Sequence, residues 1–443
     1  MNPEHRARAA APATAQPAMA QPIGLWTATA LVVGNMIGSG LFLLPSSLAA
    51  YGMASTLGWA ISTVGALLLA ATFARLGQLL PAVSGGPYAF ARFAFGDAIG
   101  FIVAWCYWIS IWSAVPAIAI ALTGYAGACV PALTATPARA AACSIVSLWI
   151  CTLLNISGLR TAGSVQLVTT LLKVAALVVF AAVGLLVFDP ARAVAAAPFN
   201  PSGQSLLQVA VATSALTLWA FLGLESATVP AAAVADPQRT VPRATLLGTA
   251  IAIAVTIAAC SAVLRLVPPA SLATSGAPFV DAVRLLLGDA AGYVVAIVAA
   301  ITCLGALNGW VLMLGQLPLA TARNGLFPAV FGRVDANGTP RAALLIGATL
   351  SSLLVVANYN ASLVSLFTWS ILLSTAASLL PFLICSLGLL RLQRRSPYAI
   401  VALLAAIYSL YALAGTGAQA LRWGGALLLA GIPIYGWIRY RRA

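Results

Sequence analysis

Charge is scarce in this sequence. Of its 443 residues only 7% are Asp, Glu, Lys or Arg, with 8 acids, one histidine and a single lysine, Lys173, among 22 basic residues. An ordinary soluble domain carries about a quarter charged residues, so this composition excludes one. The lone His5 sits outside every apolar run. The seven cysteines, Cys106, Cys129, Cys143, Cys151, Cys260, Cys303 and Cys385, form no CxxC or Cys/His cluster. That excludes a metal site of readable spacing and leaves the cysteines as small core residues. A nucleophile and base pair, a phosphate loop, rings of pore-lining charge and filter repeats are all missing too. Their absence argues against a membrane enzyme and against a channel.

What is present is apolar surface. Hydrophobic residues make up 62% of the chain and the mean hydropathy is +1.02. Runs long enough to cross about 30 Å of hydrocarbon recur from end to end. Twelve are expected, at 24–50, 56–80, 98–124, 139–157, 164–188, 206–231, 243–266, 289–321, 341–358, 363–390, 397–415 and 420–438. The fold class is therefore an all-α integral membrane protein of 12 transmembrane helices, with a single transmembrane domain over 23–440. Residues 1–22, rich in Ala, Pro and Gln, read as a disordered cytoplasmic tail without a cleavable signal pattern. The net charge of +14 would point to nucleic acid in a soluble protein. Here, with the N-terminus taken as cytoplasmic, sixteen arginines fall inside and five outside. The positive-inside rule is then met with both termini cytoplasmic, and the basic excess reads as topology with no nucleic-acid partner.

Two of the runs contradict themselves. The first holds Gly34-Asn35-Met36-Ile37-Gly38-Ser39-Gly40 in its middle, and each glycine lowers helix propensity by roughly 1 kcal/mol relative to alanine. Backbone unwound at membrane depth must line a protein cavity. The amides from Ser39 onward would open a second half-helix and suit a substrate carboxylate. The same small residues would also let a neighbouring helix approach closely. The sixth run places Gly223, Glu225 and Ser226 mid-membrane, and Glu225 is the only acid well inside a run. Breaks in runs one and six fit a five-plus-five inverted repeat, about 23–188 and 205–390, with helices 397–438 outside it.

Lys173 lies deep in the fifth run, where a charge costs roughly 2.5–3.5 kcal/mol on insertion scales. Snorkelling to an interface, pairing with Glu225, or service as an ammonium or proton site are the alternatives. In the third run Trp105, Trp108 and Trp112 share one helical face, as packing or an interfacial belt, and Tyr107 lies on another. Trp310 in the eighth run could stack on a substrate or simply pack. The segment 81–93 reads as a cytoplasmic interfacial turn and short helix, and 323–328 as a turn with a hydrophobic dock.

Taken together, Gly34–Pro45, Ser84–Arg92, Leu218–Ala227 and Ala322–Pro328 resemble the amino acid–polyamine–organocation superfamily, most closely its basic amino acid/polyamine antiporter branch. The likeness runs over residues 22–440. It implies that Asn35, Ile37, Ser39 and Gly40 hold the substrate's carboxylate and amine. It implies that Trp219 covers the substrate, Trp310 stacks on its side chain, Tyr107 belongs to an outer gate and Glu225 links gating to protons. Ser110 and Leu222 join the implied substrate-binding set. Two positions depart from the arginine/agmatine type of antiporter. Val115 stands where that type has the asparagine that meets a guanidinium, and Lys173 is similar to a fifth-helix lysine of proton-coupled and exchanger-type members, where it takes a sodium ion's place and ties the region of Ile37 and Gly38 to the eighth helix. The resemblance implies an amino acid/amine antiporter working by alternating access in the cell (inner) membrane, without cofactor. Protons are a candidate coupling ion and a homodimer is the candidate assembly. A proton-coupled neutral amino acid symporter or exchanger using Lys173 is the alternative.

Overall fold

A helix needs its end groups satisfied even where its middle is greasy. The caps that do this are visible in a computed structural model that describes residues 23–37, 40–81, 83, 85–157, 174–180, 182, 198–231, 234–336 and 338–440. Helix α1 (Leu25–Met36) is followed by α2 (Gly40–Leu48), a 3-10 segment (Ala49–Ser55), α3 (Thr56–Leu79), α4 (Pro87–Phe95), α5 (Asp97–Cys129) and α6 (Pro137–Ile156). Then come α7 (Leu206–Trp219), α8 (Pro237–Leu266), α9 (Pro278–Leu287), α10 (Asp289–Arg323), α11 (Arg341–Ala357), α12 (Leu363–Leu392), α13 (Tyr398–Gly415) and α14 (Gly417–Tyr440). Thr136 caps α6 by accepting from the Arg139 amide, Ser205 and Gln208 form a capping box on α7, and Ser362 caps α12.

Among the described residues the fold is all-α, apart from one isolated parallel bridge between Ile23 and Val234. Among the described residues seven stretches are long and apolar enough to cross a membrane, with residues 25–79 taken as one, and α7 and α11 are shorter apolar helices. Eleven of the twelve expected apolar runs coincide with a helix or a broken pair. The fifth, with Lys173, lies outside the described residues except at 174–180 and 182.

Helix α5 is the hub. From Phe101 to Tyr125 every residue but Ile102 is buried, and α10 and α12 pack along it. Hydroxyls tie α12 and α11 to its backbone: Ser374 of α12 donates to the Ser110 carbonyl at 2.7 Å and Ser351 of α11 to that of Trp112 at 2.7 Å. The tryptophan stripe is packing. Trp105 donates to the Leu427 carbonyl on α14, and Trp105 and Trp108 enclose Phe327 with Phe331. Phe327 is thus the hydrophobic dock expected of the 323–328 turn. Segment 87–95 is the expected short helix, but its Pro87–Ala91 are buried against α5 and α12 instead of lying open at an interface.

A second layer sets α3 against α7, α8 and α13. Small residues allow it: a Cβ on Gly58 would run into Thr213 of α7, and one on Gly65 into the ring of Tyr408 of α13. Between α8 and α10 the chain makes a hairpin that includes a single-turn helix (Pro269–Leu272) and α9. Gly65→Leu should cost about 1–3 kcal/mol by overpacking and lower the melting temperature of the detergent-purified protein. Gly424→Leu, at a glycine with open space around it, should leave that temperature unchanged; equal melting of the two variants would refute this packing.

Candidate functional site

Helix α1 ends where the sequence loses its helix formers. Ile37 leaves helical geometry at ψ 67°, while its N–H still reaches the Val33 carbonyl at 2.8 Å. The helix resumes at Gly40; Gly38 and Ser39 lie outside the described residues. Helix α7 ends at Trp219. Ala220, Phe221 and Leu222 then bond three residues back, at 3.1, 2.8 and 3.2 Å, and Gly223 turns the chain at φ 103°. A short 3-10 turn follows at Ser226–Thr228. The second segment thus leaves regular helix where expected, and in the first Ile37 leaves helical geometry just before the expected break.

The two breaks touch. A Cβ on Gly223 would sit 3.1 Å from the Asn35 carbonyl carbon and 3.1 Å from its Cβ. Glycine is therefore required twice over, by its positive φ and by close approach. Asn35 Nδ2 donates to Ser226 Oγ at 2.9 Å, and Ser226 Oγ donates to the Gly223 carbonyl at 2.5 Å. The Gly85–Gly86 turn closes the far side: the Gly85 N–H donates to the Val229 carbonyl at 3.0 Å.

Glu225 is 1% exposed within this second break. Tyr107 Oη donates to its Oε1 at 2.5 Å, and Oε2 is buried with no hydrogen-bond partner among the described residues. Burying a carboxyl with one oxygen unsatisfied is expensive. A proton, a second donor or a cation would each relieve it. Trp219 and Trp310 stand with ring centroids 6.1 Å apart and planes 27° from parallel. Ser110 donates to the Tyr107 carbonyl at 2.8 Å, while Val115 and Leu222 are buried and offer only apolar surface. The structure thus joins Asn35 to the second break, Tyr107 to Glu225, and Trp219 to Trp310. Ser39 and Lys173 lie outside the described residues.

One polar pair was not anticipated. Asn155 on α6 donates to Asn308 Oδ1 on α10 at 2.9 Å, and both amides are buried. Asparagines inside the runs 139–157 and 289–321 are the signal that could have found it, because an amide in hydrocarbon must find a partner.

An all-helical membrane protein with a polar locus where two interrupted helices meet is the class defined here. The chain belongs to the amino acid permease family, whose model matches residues 23–421. It is 31% identical over 432 residues to the putrescine transporter PotE of Haemophilus influenzae, covering 96% of this chain and 98% of that protein. The putrescine transporter PotE of Escherichia coli strain K12 gives the same identity and coverage. The cadaverine/lysine antiporter of Escherichia coli K12 is 36% identical over 337 residues, 76% of this chain and 75% of its own length.

The Asn35 to Ser226 bond is testable by itself. Asn35→Ala and Ser226→Ala should each destabilise the protein, and the double variant should show a coupling energy of about 0.5–1.5 kcal/mol. Denaturant unfolding in detergent measures it, and strictly additive losses would mean that the bond does not hold the breaks together.

Proposed function

We propose that this chain is a secondary active antiporter of the cell (inner) membrane that exchanges an amino acid for an amine or a second amino acid by alternating access. The reading carries twelve spans, a five-plus-five inverted repeat over about 23–188 and 205–390, and both termini in the cytoplasm. One observation carries it above all: two helix breaks from distant parts of the sequence meet through Asn35, Gly223 and Ser226, beside the stacked Trp219 and Trp310. The polyamine and lysine relatives support the substrate class.

Each assigned residue has a chemical reason. The substrate carboxylate is assigned to the start of α2 at Gly40, a helix N-terminus whose first amides have no intrahelical acceptor and whose dipole end is positive, with Ile37 and Ser39 preceding it in the chain. Indole faces at Trp219 and Trp310 suit the ammonium or the stem of an amine. Substrate entry between them would separate the rings, so that covering and uncovering the substrate is a movement of Trp219 with the unwound residues that follow it. Glu225, held by Tyr107 at the same break, can exchange a proton or cation as the break moves, with Ser110 one turn away on α5. Lys173 is assigned to link the first break to α10.

A second reading rests on Val115, which is fully buried and has no polar atom for a guanidinium. It makes the substrate a neutral amino acid, with Lys173 in the coupling role. Uptake of labelled arginine, lysine, putrescine and alanine into vesicles decides between them, with the same compounds, agmatine or nothing inside, and with or without a pH gradient. Cation uptake that requires internal amine or amino acid is expected. Alanine exchange, or alanine uptake driven by the gradient alone, without any cation transport would establish the second reading, and no uptake at all would overturn both. In the same assay Trp310→Ala should abolish transport. Lys173→Ala should fold normally and turn over slowly; wild-type turnover would remove Lys173 from coupling.

A further inference from the structure

Away from the breaks, a cavity of about 440 Å³ opens between the end of α5, the start of α6, the hairpin before α9 and the turn into α12. Its wall depends on a backbone contact: Gly124 of α5 and Gly276 of the hairpin meet so closely that a Cβ on Gly124 would strike the Gly276 carbonyl. The hairpin is fixed from two further sides. Ser46 of α2 donates to the Ser275 carbonyl at 2.9 Å, and Tyr125 donates to the Phe42 carbonyl at 2.7 Å while receiving the Phe279 N–H at 3.5 Å.

Two opposite charges line this cavity, Asp281 and Arg284, one turn apart on α9. They form no ion pair with each other. Asp281 Oδ2 accepts a hydrogen bond from Ser275, and Oδ1 has no partner among the described residues. Arg284 Nε lies 3.5 Å from Asp289, whose side chain is 85% exposed, and the guanidinium rests over the Tyr293 ring. Its two terminal nitrogens carry no hydrogen bond among the described residues. Tyr359 and Ser362 add hydroxyls to the rim.

The geometry points to a second binding site in this cavity for a zwitterionic α-amino acid, with its carboxylate on Arg284 and its ammonium on Asp281. A carboxylate matches the planar donors of arginine, and an ammonium matches a carboxylate oxygen that lacks a donor. A diamine has nothing for Arg284 and meets its positive charge, so the site separates amino acids from the amines that share their side chains. Under the proposed topology the cavity faces outward. The assignment deepens the antiport reading, and its kinetic test rests on that reading; the binding test does not.

The binding test uses full-length Ser362→Cys protein carrying Trp310→Ala, so that the site beside the stacked indoles is disabled. A maleimide reacts with the new thiol, and labelling at residue 362 is read by mass spectrometry. Lysine and alanine should slow labelling, cadaverine should not, and Arg284→Gln should remove the protection while Arg284→Lys restores part of it. The Asp289 pair is a surface one whose loss costs little stability, and a monodisperse elution profile confirms that the variants fold. No protection by either amino acid, equal protection by cadaverine, or protection that survives both Arg284→Gln and Asp281→Asn would overturn the site. In oriented proteoliposomes Arg284→Gln should raise the external KM for lysine about tenfold, leaving the internal KM and cadaverine exchange unchanged. Protection in the Ser362→Cys, Trp310→Ala protein together with a wild-type protein that exchanges nothing would overturn the antiport reading and leave the site standing.

Discussion

Every backbone N–H and C=O inside a bilayer needs a partner that is not water, and this one constraint governs the molecule. Unbroken helices satisfy it internally. The two broken ones cannot, and they solve the problem jointly. Residues 220–222 tighten to three-back hydrogen bonds, Gly223 brings its backbone against Asn35, and Ser226 receives the Asn35 amide while donating to Gly223. Each break supplies what the other lacks. The price is that neither can move without disturbing the other, which is the mechanical property that alternating access requires.

The same constraint explains how the surrounding helices are tied together. Between apolar helices in lipid the hydrophobic effect contributes little, so association falls to close packing and to hydrogen bonds. Small residues provide the packing, as at Gly58 and Gly65 on α3. Hydroxyls provide the bonds. Ser351 and Ser374 reach over to backbone carbonyls of α5, and Ser62 pairs with Thr217 of α7 at 2.5 Å. Helix α5 accepts these bonds along a surface with almost no solvent-facing side. It therefore acts as a fixed post on which Tyr107 can hold Glu225 at a defined place.

What was legible in the sequence follows from what hydrocarbon penalises. Helix positions were legible because 20-residue apolar runs have one stable form there. The departures from helix at Ile37 and Gly223 were legible because glycines cluster with a polar residue or a carboxylate mid-run, although close helix packing also uses glycine, as at Gly58 and Gly65. Contacts across the bundle were not. Nothing in spacing says that Asn35 reaches Ser226, 191 residues away, or that Tyr107 reaches Glu225, 118 away. The Asn155 to Asn308 pair was visible only as two separate amides. The hairpin and α9 escaped entirely, because an amphipathic ten-residue helix outside the runs looks like any connecting loop. In segment 81–93 the aromatics and Arg92 suggest an interfacial turn and short helix, but which face of Pro87–Phe95 is buried is set by α5 and α12.

The hairpin that the sequence concealed bears most directly on α2. Helix α2 begins at the break, and its later residues meet the hairpin through the bond from Ser46 to the Ser275 carbonyl. Phe42 packs edge-on against both Tyr125 and Phe279, at 5.5 Å in each case, so α2, α5 and α9 share one aromatic contact. A ligand that draws Asp281 and Arg284 together would act on α9, and α9 carries Phe279. Any tilt of α2 that opens or closes the first break must then carry Phe42 past Phe279, or move the hairpin with it. The polar locus at the breaks and the charged cavity beyond them are therefore joined by packing that resists independent motion. If the proposed second site is occupied, its effect on the first break would pass through α2, the helix that carries both Phe42 and Ser46.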